Sequence, residues 1–358
     1  MSVRPIQGRL PEPDFGHLRT MTDERGLFEH ARGRQPAREF GYCVDDAARA
    51  LLVTSIADVD GSLASLRGVY LDVTLRAVSP DGRCRNRLSP GGIWEDEPGL
   101  GDWWGRALWG LGVASASGRE GHSDALAAFD TLAQQRSPWR RSMAYAALGA
   151  AAVVERTPSA EPLLVDAVDA VTAHDGRTHE GGWPEPCLTY DNAILPWALL
   201  AAGSALGRDD LTEQGLDWLT FLTEAQLRDG HLSVVPAGGR ALNARPPGFD
   251  QQPIEVASLA GAAALAYDLT GDERWRLLVR LAGEWFVGNN DVGVALVDPA
   301  TGAGQDGLTP TGPNLNCGAE STLAANLTLA LARHLGAIEW PPSSPHIQTS
   351  ISSPILTG

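Results

Sequence analysis

The sequence predicts an all-α fold, a closed double ring of helical hairpins, and three observations predict it. Long alanine- and leucine-rich segments recur along the 358 residues. They alternate with segments that carry one charged face. The loops between them are rich in Gly, Pro, Asp and Trp. Six segments of the first kind begin with polar residues and continue with small, almost uncharged ones, starting near Asp45, Asp102, Arg141, Asp191, Pro253 and Ala319. A helix apolar almost all round is buried on both sides, so these six form an inner ring. Segments 62–78, 122–136, 160–174, 210–227 and 272–287 each keep one polar face and read as outer helices. The sixth outer helix is assigned to the short stretch 14–23. Closing the alternation gives an (α/α)6 toroid over residues 14–340, with an N-terminal arm at 1–13. The segment 341–358 has the proline- and serine-rich composition of a flexible tail. An open solenoid is the competing architecture. The repeats share no consensus and their loops are long and unequal, which argues against it.

Composition narrows the chemistry. Hydrophobic residues make up 43% and charged residues 20% of the chain, the ordinary balance of a globular protein. A formal net charge of −16 repels phosphate backbones and anionic membranes, so neither nucleic acid nor membrane is an expected partner. No apolar run approaches the ~18 residues of a membrane span. Cys43, Cys84, Cys187 and Cys317 are scattered without a C-x-x-C pair, which fits a reducing, cytoplasmic setting. The sequence contains no lysine, as a GC-rich genome favours, and this removes P-loop, Schiff-base and Ser–Lys chemistries. No histidine–carboxylate spacing suggests metal ligation, and no metal or other cofactor is expected.

In such a toroid the N-terminal ends of the inner helices share one mouth, where unpaired N–H groups and positive dipole ends converge. Polar residues cluster at those ends: Asp45 and Asp46, Asp102 and Arg106, Tyr190, Asp191 and Asn192, Gln251, Gln252 and Glu255, Glu320 and Ser321. Helix capping accounts for any one of them alone. It does not account for paired carboxylates, or for a Glu placed after the cap beside aromatic residues. Arg49 and Arg106 read equally well as internal ion-pair partners of the aspartates. The loops 91–106 and 179–192 add tryptophan beside acid. Sugar rings stack an apolar face on indole and pair their hydroxyl rim with Asp, Glu, Asn, Gln and His. Trp94, Glu95, Trp103, His179, Glu180 and Trp183 therefore join Arg106, Tyr190, Asp191, Asn192 and Gln252 as substrate-binding candidates, whereas Trp109 reads as core. Glycoside cleavage needs one carboxylic acid and a second carboxylate as base or nucleophile. Asp45, Asp46, Asp102, Glu255 and Glu320 are the candidates. Asp45 and Asp46 project ~100° apart on a helix, so only one points straight into the cleft.

The segments DERGLFEHARGRQPAREFGYCVDDAARALLV, WEDEPGLGDWWGRALWGLG and NLNCGAESTLAANLTLALA, starting at Asp23, Trp94 and Asn314, resemble a bacterial six-hairpin, glycosidase-like domain. That domain occurs fused behind, or encoded beside, glycosyltransferases and mannan-processing enzymes. Its usual G-Y-C-T-D-D-N-A-R-A-L reads here with Val44 for the Thr and Ala47 for the Asn, and its Tyr42 joins the binding candidates. The adjacent aspartates also resemble the pair of (α/α)6 endo-α-1,6-mannanases, which implies that Asp45 or Asp46 is catalytic. Together these imply a glycoside hydrolase acting on a mannose-containing or related oligosaccharide through general acid/base carboxylates, with a glycosyltransferase as partner. Two alternatives stand beside it: a non-catalytic glycan-binding scaffold for a glycosyltransferase, and a sugar epimerase or phosphorylase. Epimerases of this fold resemble each other in using histidines at helix ends, and here His179 and His231 fall in loops. Terpene synthases need D-D-x-x-D, where this chain has Asp45-Asp46-Ala47-Ala48-Arg49.

Overall fold

A computed structural model describes residues 8–174 and 179–340. The proposed tail at 341–358, and residues 1–7 of the arm, lie outside the described residues. Twelve α-helices occur among those described. They are α1 (Gly16–Thr20), α2 (Val44–Ala57), α3 (Ala64–Ala77), α4 (Asp102–Ala116), α5 (His122–Leu132) and α6 (Arg140–Val153), then α7 (Ala160–Thr172), α8 (Ile194–Leu206), α9 (Asp209–Gln226), α10 (Pro253–Thr270), α11 (Glu273–Phe286) and α12 (Ala319–His334). The even-numbered helices up to α12 are the six expected inner segments, and the odd-numbered ones are the outer segments. One start differs. Asp191 precedes α8 by three positions and adopts a φ of 45°, in the left-handed region that Asp tolerates better than most residues. No helix is long and apolar enough to cross a membrane among the described residues.

The chain groups into two compact units. In the unit formed by 18–173 and 201–212, α2, α4 and α6 lie side by side and are backed by α3, α5 and α7. Glycines set how close these helices come. A Cβ at Gly105 would collide with the Ser142 carbonyl, one at Gly112 with that of Gly149, and one at Gly110 with that of Ala48. The pairs Gly105–Ser142 and Gly112–Gly149 advance together along both helices, so α4 and α6 run parallel in constant register. The core is aliphatic and aromatic: Leu51, Leu108, Leu111, Tyr145 and Phe129 are buried. The antiparallel pairing of Tyr42–Cys43 with Arg87–Leu88 lays the loop before α4 across the start of α2.

In the unit formed by 8–17, 179–200 and 213–340, α10 packs against α11 and α12. Gly261 of α10 leaves room for the Trp197 indole from the first turns of α8. Gly8–Arg9 of the expected arm pairs antiparallel with Glu339–Trp340, and Leu10 is buried. Arg280 of α11 holds this junction, donating to the carbonyls of Ile338, Ala337 and Gly8 while pairing with Glu284 at 2.8 Å. Two further short pairings, Cys187–Leu188 with Arg240–Ala241 and Leu227–Arg228 with His231–Leu232, order the loops before α10.

Candidate functional site

The parallel register of α2, α4 and α6 sets Asp45, Arg106 and Tyr145 together. Arg106 donates from Nη1 to both Asp45 oxygens at 2.6 Å and from Nη2 to Tyr145 Oη at 2.6 Å. Its guanidinium lies 4.3 Å from the Tyr145 ring centre, and Trp109 stacks behind that ring. Arg49, one turn along α2, reaches Asp45 at 3.2 Å and Asp46 at 2.6 Å. Burial pushes the Asp45 carboxyl upward, but Arg106 and Arg49 together outweigh it and hold the group below its usual range. Asp45 is thus a fixed, ionised carboxylate with a fifth of its side chain exposed (19%). Asp46 is buried, accepting from Arg49 and from Cys43 Sγ at 3.2 Å.

Neither aspartate caps α2. The Val44 N–H donates to the Asn86 carbonyl at 2.9 Å, the Asp45 N–H to Asn86 Oδ1 at 3.1 Å, and the Asp46 N–H to Cys43 Sγ at 3.4 Å. The orphan donors of the first turn are met by Asn86 and Cys43, and the carboxylates are left to the arginines. Asp102, Glu255 and Glu320 also lie inside their helices, after Gly101, Gln252 and Gly318 at the cap positions. None of the five carboxylates therefore occupies the cap position of its own helix.

Glu29, Cys43 and Asp46 bring ligand-type atoms within 4.8 Å of one another, a trio the sequence reading did not single out. Arg87 already pairs with Glu29 and Arg49 with Asp46. Burial and the neighbouring acids push the Cys43 thiol well up, so it keeps its proton, and the trio is a poor cradle for a cation.

Around this network Asp102 is half-buried at the start of α4. Trp103 folds over Gly99 and Gly101 and donates from Nε1 to the Cys84 carbonyl at 2.7 Å. Trp94 is half-buried and Glu95 exposed on the loop that pairs with Arg87–Leu88. Tyr42 corrects the sequence reading. It is buried, stacked on Phe28 and bonded through its hydroxyl to Asp23 at 2.8 Å, so it supports the loop rather than meeting a ligand.

In the other unit the carboxylates Asp191 and Glu255 meet. The backbone N–H groups of Asp191 and Asn192, and the Asn192 side-chain amide at 3.0 Å, all donate to Glu255, while Ser258 donates to Asp191. Burial, then the charge of Asp191, pushes Glu255 up to about 7 in spite of these donors. Glu255 thus braces the turn that leads into α8, where Asp191 holds its left-handed conformation. The raised value has a consequence for stability. Below the ordinary carboxylate range Glu255 is protonated in folded and unfolded chains alike. Between that range and pH 7 only the unfolded chain ionises, so the folded state binds the extra proton and stability falls as pH rises. We expect the difference in unfolding free energy between wild type and Glu255→Gln to shrink steadily from pH 4.5 to pH 7.5. A difference independent of pH in urea titrations would contradict this.

Trp183 also corrects the sequence reading. It is fully buried against Trp218 and Phe221, with ring centres 5.6 and 6.0 Å away, and its faces belong to the core. His179, Tyr190 and Gln252 are half-buried, Glu180 is exposed, and Glu320 is half-buried in the first turn of α12. Sequence reasoning missed a further cluster. His231 Nε2 lies 3.1 Å from Asp291 Oδ1, Arg228 donates to the same oxygen, and Gln251 donates to the other at 2.7 Å. Burial works against ionisation of Asp291, but the hydrogen bonds from His231 and Gln251 and the His231 charge pull it down to about 2. A carboxylate so fixed orients the imidazole through Nε2. Arg240 lies in the field of both Glu255 and Asp291, and its Nε and Nη1 make no hydrogen bond among the described residues. The sequence hid this group because Asp291 follows His231 by some sixty residues in a loop without a motif.

No family model matches the chain, and no curated protein matches it. Solved structures do. A D-mannose isomerase superposes with a TM-score of 0.69 at 10% identity, covering 89% of this chain and 94% of its own. Cellobiose 2-epimerase from Bacillus thermoamylovorans B4167 gives 0.67 at 11% identity, covering 90% and 96%. An alpha-mannanase of Bacteroides thetaiotaomicron gives 0.62 at 10% identity, covering 89% and 93%. At these identities the likeness shows the fold: this is an all-α chain of the (α/α)6, six-hairpin class, as the alternation of segments predicted.

Proposed function

We propose that this protein is a sugar-processing enzyme, and specifically a glycoside hydrolase acting on a mannose-containing or related oligosaccharide. The observation that carries the reading is Asp45, held ionised by a buried arginine at the start of an inner helix while part of its carboxylate stays exposed. Such a group serves as nucleophile or base. Asp102, one turn before Arg106 and so ~6 Å farther out along the axis, is the acid that would protonate the leaving oxygen. Support comes from the mannanase among the proteins that share the fold, from the half-buried Trp103 next to Asp102, and from the half-buried Trp94 on the loop paired with Arg87–Leu88.

A second reading is favoured by the His231–Asp291 pair. An imidazole oriented by a fixed carboxylate suits proton abstraction next to a sugar carbonyl. The isomerase and epimerase of the same fold support it. Incubation with α- and β-linked manno-, gluco- and arabino-oligosaccharides, with products followed by chromatography and mass spectrometry, separates the readings. Shorter oligosaccharides are expected. A product of unchanged mass and altered retention would favour the epimerase, and binding without any product would leave a glycan-binding scaffold.

A further inference from the structure

Trp139 is 64% exposed, although an indole is the costliest side chain to leave in water. It stands at the N-cap of α6 without a capping side chain, and the sequence reading did not select it. Its backbone is fixed. The Trp139 N–H donates to Ser137 Oγ at 3.1 Å, and that hydroxyl donates to the Leu100 carbonyl at 2.6 Å. Ser142 Oγ donates to the Gly101 carbonyl at 2.9 Å, tying the same turn to the start of α4. Because Gly105 faces Ser142 and Gly112 faces Gly149, the constant register of α4 and α6 sets Trp139 level with Asp102. The backbone of Trp139 therefore stands at the start of the helix layer, level with Asp102 and one turn before Arg106.

We propose that Trp139 is the stacking platform of an outer sugar subsite. It would receive a pyranose unit of a chain whose neighbouring unit reaches Asp102 and Asp45. An exposed indole on a turn tied by hydrogen bonds to the start of α4, where the half-buried Asp102 stands, suits a pyranose, which has an apolar face and a rim of hydroxyl donors. A protein partner is a poorer occupant, because the groups that fix the turn are hydroxyls and backbone carbonyls, not further apolar side chains. The proposal deepens the glycoside reading, and makes the ligand an oligosaccharide rather than a single sugar.

Calorimetric titration of α-1,6-linked mannobiose, mannotriose and mannotetraose, with cello-oligosaccharides of the same lengths, tests it without requiring turnover. Wild type should bind the longer members of one series more tightly than the disaccharide. Trp139→Ala should lower the tetrasaccharide affinity by ~10-fold, the upper end of what stacking supplies, down to that of the disaccharide. Trp139→Phe should recover part of the loss. An exposed position predicts an unchanged unfolding midpoint in both variants, which separates a binding effect from a folding one. Length-independent binding, no binding in either series, or equal affinities for wild type and Trp139→Ala would overturn the subsite. Binding with the expected length dependence but no cleavage would overturn the hydrolase reading and leave the subsite standing.

Discussion

Asp45→Asn is expected to lower turnover of the oligosaccharide substrate by ~10²–10⁴-fold, the range that a positioned acid–base group supplies. Asparagine keeps the shape and still offers Arg106 one acceptor, but it carries neither the charge of a nucleophile nor a transferable proton. Substrate affinity should change by far less, because Trp94, Trp103 and Asp102 are untouched. Asp102→Asn should lose activity as well, and on substrates with a good leaving group it should lose much less, since those need no protonation. Asp46→Asn is the informative comparison. Asp46 is buried against Cys43 and Arg49, so its substitution should cost stability more than rate. If Asp46→Asn abolishes turnover and Asp45→Asn retains it, the roles assigned to the two are reversed.

Arg106→Met should destabilise the protein by about 3–5 kcal/mol, the usual cost of removing one partner of a buried ion pair. Arg106 is 4% exposed, and its loss leaves Asp45 paired with Arg49 and removes the hydrogen bond that Arg106 donates to Tyr145 Oη. Urea unfolding should show a lower midpoint. The remaining activity should shift its acidic limb to higher pH, because Arg106 is the strongest of the charges that lower the Asp45 carboxyl. Arg106→Lys should recover little, since an ammonium does not span two carboxylate oxygens and a phenol at once. The double variant Arg106→Met with Asp45→Asn should regain part of the lost stability, as both buried charges then leave together. A midpoint within experimental error of wild type in Arg106→Met would show that the network is not a structural element.

The helices were legible because their burial is written in composition. Segments such as SLAGAAALA in α10 have no polar face, and segments such as ERWRLLVRLAGEWF in α11 have one, so the two layers separate by periodicity alone. The ion pairs inside one helix were legible too, since Arg49 follows Asp46 and Asp45 by three and four positions. Long-range chemistry was not. Nothing local announces that Asn86 takes over the capping of α2, that Asp291 finds His231, or that Tyr145 receives Arg106. The tryptophans show the same limit. Trp183 and Trp139 both sit beside proline in loops, yet one is enclosed by Trp218 and Phe221 and the other stands in solvent. A residue's neighbours in sequence set its backbone, while its exposure is decided by whichever helix arrives across from it.

The contacts of Gly105, Gly110 and Gly112 with carbonyls of the adjacent helices bear on how this protein can be re-engineered. A side chain that meets another side chain can be accommodated by a change of rotamer. One that meets a carbonyl must move the whole helix, because the obstacle belongs to the backbone. A methyl group at any of the three would displace Asp45, Asp102 and Arg106 relative to one another by altering the height or spacing of their supports. Libraries aimed at new substrates should therefore leave these glycines invariant and place diversity at the exposed loop residues Ile93, Glu95 and Glu97, outside the backbone contacts that set the acids in place.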